Sequence, residues 1–130
     1  MSMLVVEPDD AIRGSLRKWL LTNNPGLRIS EATNEEQAVL MAEAQSPCMI
    51  LVDIADPETD GLMTIREIKD AAPESHIVAL VMRDDDGYRH DLAAAGASAC
   101  VLIWETQSEL IPKMRALVSG GCEKEIAGPC

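Results

Sequence analysis

Five short apolar runs recur along the chain, and the stretches between them return apolar residues every three or four positions. The runs are Met3–Val6, Leu27–Ser30, Cys48–Asp53, Ile77–Met82 and Ala99–Ile103. Near-continuous apolar runs of strand length are what a parallel sheet covered on both faces requires, because neither face meets water. Between them, Ile12, Leu16, Trp19 and Leu20 share one helical face. Leu62, Ile65 and Ile68 share another, as do Leu110, Met114, Leu117 and Val118. Strict alternation of this kind predicts a three-layer, doubly wound α/β domain with a five-stranded parallel sheet. The strand order 2-1-3-4-5 is a common solution for that count, with right-handed crossovers.

Local punctuation agrees. Asp9 or Asp10 caps the first helix, and Asn23-Asn24-Pro25-Gly26 stops it. Asn34 caps a second helix running to about Ala44, with Glu35 and Glu36 at the positive end of its dipole. A third helix spans Gly61 to Ala71, and a fourth, short one spans Tyr88 to Ala95 before Gly96. Thr106 or Ser108 caps the last, which Gly120-Gly121 ends. The expected organisation is one domain over residues 1–119 and a flexible tail over 120–130.

A chain of 130 residues builds one core. Phe is absent and aromatics make up 2%, so that core is aliphatic. Acids outnumber bases 22 to 11, and a net charge of −11 repels phosphate backbones, which argues against nucleic-acid binding by this domain. No apolar run approaches the roughly 18 residues of a spanning helix, and no basic region precedes an apolar stretch at the N-terminus. No membrane association is therefore expected. Cys48 and Cys100 lie in apolar runs and read as buried thiols, while Cys122 and Cys130 fall in the expected tail. These features suit a reduced, cytoplasmic protein.

In an open parallel sheet, chemistry gathers at the carboxyl ends of the strands. Asp53 ends the third run and Glu7 follows the first, so the assumed order brings both into one crevice. Two carboxylates there can hold a hard divalent cation, with waters and a backbone carbonyl completing the shell. The alternative is a pair of solvated strand-end acids. His76 and His90 match no Ser or Cys nucleophile motif, so hydrolysis is unsupported and no enzymatic activity is expected. Flavin binding fails on Glu7-Pro8-Asp9-Asp10, which would repel a flavin phosphate.

The segment Cys48–Asp53, with the following Ile54–Leu62 including Pro57 and Asp60-Gly61-Leu62, resembles the phosphoacceptor strand and loop of bacterial two-component response-regulator receiver domains. The resemblance runs from Leu4 to about Ser119 and is closest to receivers that precede a helix-turn-helix output domain in transcriptional regulators. It implies a CheY-like fold, Asp53 as phosphoacceptor, and a weak magnesium site made of Glu7, Asp53 and the Ala55 backbone carbonyl, with Asp9 as a further ligand if it leans in. It also exposes departures. The usual acid pair reads Glu7-Pro8. The hydroxyl position after the fourth strand is Val81, followed by Met82. The switch aromatic is Cys100, the phosphate-pairing lysine is Ile103, and the following Pro is Trp104.

Two functions follow from the resemblance. One is a degenerate receiver acting as a constitutive protein-interaction module in phosphorelay signalling, with Tyr88 and Trp104 as interface candidates. The other is a working phospho-switch that accepts a phosphoryl group on Asp53 with a weakly bound divalent cation. The implied partners are a histidine kinase or a downstream signalling protein, with a homodimer as a further possibility.

Overall fold

The structure, a computed structural model, describes residues 1–119. The strands are β1 (Ser2–Val6), β2 (Arg28–Ala32), β3 (Met49–Asp53), β4 (His76–Val81) and β5 (Ala99–Leu102). The helices are α1 (Asp10–Asn23), α2 (Glu35–Gln45), α3 (Gly61–Ala71), α4 (Asp86–Ala95) and α5 (Thr106–Ser119). All four strand pairings are parallel and the order is β2-β1-β3-β4-β5, as the alternation predicts. The expected tail over 120–130 lies outside the described residues, with Cys122 and Cys130.

Apolar side chains alternate between the two faces of the sheet and form two cores. On one face Leu4, Val6, Ile50, Val52, Ile77 and Val81 pack with residues of α2, α3 and α4. On the other, Met3, Val5, Leu51, Val78, Leu80 and Val101 pack with Leu20 of α1 and with Leu110 and Met114 of α5. With no Phe to fill space, Met3 and Met49, each about 1% exposed or less, are among the larger fully buried side chains. Their flexible thioethers fit irregular gaps between aliphatic neighbours.

The caps are side-chain acceptors for otherwise unpaired N–H groups. Asp9 Oδ1 accepts from Ile12 N–H at 2.9 Å and Asn34 Oδ1 from Gln37 N–H at 2.8 Å, each worth about 1 kcal/mol. Of the two candidate caps for α1, Asp9 takes the role and Asp10 opens the helix. Gly96 ends α4 at a φ of 126°, where a Cβ would come 2.5 Å from Cγ of Lys69. Both the backbone conformation and the approach of α3 exclude a side chain there.

The structure departs from expectation at three places. α4 begins two residues early, because Asp85 caps it by accepting from Tyr88 N–H at 3.1 Å. β5 stops at Leu102, and Ile103–Glu105 form a single 3-10 turn that runs straight into α5. The hydroxyls of Thr106 and Ser108 accordingly donate back to the carbonyls of Ile103 and Glu105, and Thr106 closes the 3-10 turn. Cys48 is fully buried but disulfide-bonded, whereas Cys100 is a free thiol.

Candidate phosphoacceptor site

The pairing of Val6 with Val52 sets the next residues, Glu7 and Asp53, side by side at the carboxyl end of the sheet. Asp53 is half-buried, and its Oδ1 accepts from the Ala55 N–H at 2.8 Å, which folds the loop after β3 over it. Glu7 is only 3% exposed. Its Oε2 accepts from Asp9 N–H at 3.1 Å, while its Oε1 is buried with no donor facing it. Burial, then hydrogen bonding to Asp53, then the charges of Asp53 and Asp9 push the Glu7 carboxyl up to about 8; the Asp9 N–H pulls the other way. At neutral pH Glu7 is therefore mainly a neutral acid. Beside Asp53 two carboxylates would meet as acceptors only, and a proton on Glu7 makes its carboxyl a donor.

Arg13 was not singled out by sequence reasoning. From the first turns of α1 its Nη1 donates to the Glu7 carbonyl at 2.9 Å, its Nε to Glu31 at 3.1 Å and its Nη2 to Asp10 at 2.7 Å. One guanidinium thus ties the end of β1, α1 and β2 together behind Glu7. An arginine on an amphipathic helix carries no local signal of this role, since Glu31 is 18 residues away.

The departures from the receiver pattern take up definite places. Val81 is wholly buried among Val52, Ile54 and Leu102, so an apolar side chain occupies the hydroxyl position. Ile103 packs against the opposite core and lines a groove of about 470 Å³ between α1 and α5 with Ile12, Trp19, Leu80 and Trp104. Cys100 is half-buried against the first core, and burial pushes its thiol up. Pro8 is exposed and offers neither carboxylate nor N–H. Met82, 51% exposed, lines a second cavity with Ile54, Ala55, Arg83 and Tyr88 instead of lying in the core.

The two interface candidates part company. Trp104, 65% exposed, borders the groove between α1 and α5, whereas Tyr88 borders the cavity beside the loop after β3. The 3-10 turn is the reason: it takes Trp104 off the line of β5.

For magnesium the donor set fits poorly. Oε2 of Glu7 and Oδ1 of Asp53 already accept backbone N–H groups, Asp9 Oδ1 caps α1, and Glu7 must lose a proton before it can ligate. Among the described residues no three His, Cys, Asp or Glu side chains group to hold a metal ion. What is left is Oε1 of Glu7, one oxygen of Asp53 and the Ala55 carbonyl, so waters would have to complete the shell of a magnesium ion held there.

Residues 3–115 match the family model of the response regulator receiver domain. The chain belongs to that family. Among curated relatives, this receiver is 34% identical over 122 residues to a protein-glutamate methylesterase/protein-glutamine glutaminase of Alkalilimnicola ehrlichii, covering 93% of the chain and 29% of that protein. It is 31% identical over 118 residues to the response regulator MprA of Mycobacterium avium, covering 91% of the chain and 51% of MprA. The receiver thus spans about a third to a half of these relatives. Its fold is that of a LuxR-family two-component response regulator from Aurantimonas sp. SI85-9A1, at a TM-score of 0.80 and 22% identity, over 92% of this chain and 85% of that one. The signal receiver domain of a DNA-binding response regulator from Colwellia psychrerythraea 34H matches at 0.79 and 22%, over 92% and 98%. No helix among the described residues is long and apolar enough to cross a membrane.

Proposed function

We propose that this receiver is a phosphorylation-impaired, constitutive protein-interaction module in cytoplasmic phosphorelay signalling, with a histidine kinase or a downstream signalling protein as its partner. The observation that carries the reading is the packing of Val81 and Ile103. Each faces one of the two hydrophobic cores, so neither residue can donate a hydrogen bond or a charge to a phosphoryl group on Asp53. Such a group adds nearly two negative charges beside Glu7 in a chain already at −11, with little to compensate it. A conformational switch needs contacts that differ between its two states, and here the donors for them are missing. The groove bordered by Trp104, Trp19 and Ile12 offers an aromatic anchor for a partner, in keeping with the weight aromatics carry at interface centres.

The second reading, a phospho-switch with a weakly held divalent cation, is favoured by Asp53 itself, which stays half-exposed at the strand end. Incubation with acetyl phosphate and magnesium, followed by intact-mass measurement, separates the two. Impairment predicts a small phosphorylated fraction that disappears in Asp53→Asn. Near-complete conversion would establish the switch.

Magnesium binding should be weak, and Pro8→Asp should strengthen it by adding the missing carboxylate. A gain on the order of tenfold, about 1.4 kcal/mol, is expected by calorimetry. Tight binding by the native protein would mean that a further oxygen reaches the site.

A further inference from the structure

We propose that Tyr88 is a latch whose ring, carried on the first turn of α4, packs onto Gly61 and Ile54 and holds α4 to the loop between β3 and α3 in one conformation. A Cβ built at Gly61 would come 2.5 Å from the Tyr88 hydroxyl oxygen and 2.8 Å from Cδ1 of Ile54. The phenol thus occupies the space that a side chain at position 61 would need, so a larger residue there would have to push the Tyr88 hydroxyl and the Ile54 methyl aside. Two other contacts hold the ring, and a third fixes the backbone that carries it. The Arg83 guanidinium lies over it at 4.4 Å from the centroid, an arrangement that attracts a cation to the ring face. The Tyr88 N–H is bonded to Oδ1 of Asp85, which sets the first turn of the helix. Tyr88 also packs against the core cluster that holds Ile54 and Leu92, and Cys100 packs against the same cluster.

The Arg83 ion pair with Asp85, at 4.0 Å and with both side chains more than half exposed, is too loose to draw the guanidinium off the ring. The latch thus joins β3's loop, α4 and the loop after β4 through one aromatic side chain, and none of its contacts involves Asp53. It deepens the constitutive reading above, because a pinned α4 has no second position to adopt.

Native-state hydrogen exchange on the magnesium-free, unphosphorylated protein tests it. In Tyr88→Ala, amides of residues 56–64 and 86–95 should exchange faster together, by on the order of tenfold. Tyr88→Phe, which keeps the ring, should retain most of the protection in both segments. Gly61→Ala should loosen both segments in the native background and add less than half of that effect in the Tyr88→Ala background, because the nearer of the two side chains it collides with is gone and Ile54 Cδ1 can turn into the space the ring leaves. Loosening confined to α4 in Tyr88→Ala, or an equal Gly61→Ala effect in both backgrounds, would overturn the latch. Its failure is distinguishable from that of the constitutive reading: the exchange experiment involves no phosphoryl group, and full conversion of Asp53 by acetyl phosphate would leave the exchange result standing.

Discussion

Replacing Glu7 with Gln is expected to stabilise the metal-free protein at pH 8.5 by roughly 2–4 kcal/mol and to flatten its stability against pH. Glu7 has an ordinary value of 4.5 and is held at about 8 in the folded chain, chiefly by burial. Below about pH 4.5 both the folded and unfolded forms carry the proton, and the contribution is fully present. As pH rises from there toward 8 the unfolded chain releases the proton and the folded one keeps it, so stability falls, by up to about 1.4 kcal/mol per pH unit. Above 8 the folded protein holds two buried or half-buried carboxylates facing each other. Gln removes that charge, still accepts from the Asp9 N–H through its oxygen, and presents an N–H to Asp53. Urea denaturation at pH 5, 7 and 8.5 in the presence of a chelator measures the difference. Native and variant curves that stay parallel across this range would show that Glu7 is not the buried, proton-holding acid described above.

Beryllofluoride with magnesium should leave the amide chemical shifts of residues 81–104 almost unchanged. Val81 is buried in an aliphatic cluster and Ile103 is packed toward the groove between α1 and α5, so no hydroxyl or ammonium is placed to be drawn toward the mimic. Cys100 lacks the bulk to change rotamer in response. Changes should be confined to the residues around Asp53 and Ala55, where the added group itself sits. Large shifts through Met82, Arg83 and Tyr88 and on into β5 would restore the phospho-switch and remove the constitutive reading. Because Asp53 is bonded to the Ala55 N–H, some response in that loop is expected under either outcome and decides nothing.

The sequence by itself determined the architecture and the place of the candidate phosphoacceptor. Strand-length apolar runs, three-and-four spacing and capping residues are local codes, satisfied within a few positions. Asn34, Asp9 and the span Gly61–Ala71 accordingly stand where those codes put them. Asp53 was legible for the same reason, since an acid ending an apolar run falls at a strand terminus wherever the strand lies in the sheet. The tertiary structure alone decided the rest. The burial of Glu7, and hence its proton, depends on the pairing of β1 with β3, some 46 residues apart, as the register of Met3 with Met49 shows. Arg13 reaches Glu31 only because β2 lies at the sheet edge beside β1. A 3-10 turn at Ile103–Glu105 took Trp104 off the line of β5, away from the cavity that Tyr88 borders, and the disulfide at Cys48 left no trace in the spacing of the cysteines. Each of these turns on what meets a side chain across the fold, and periodicity carries information about which way a residue faces but none about what it faces.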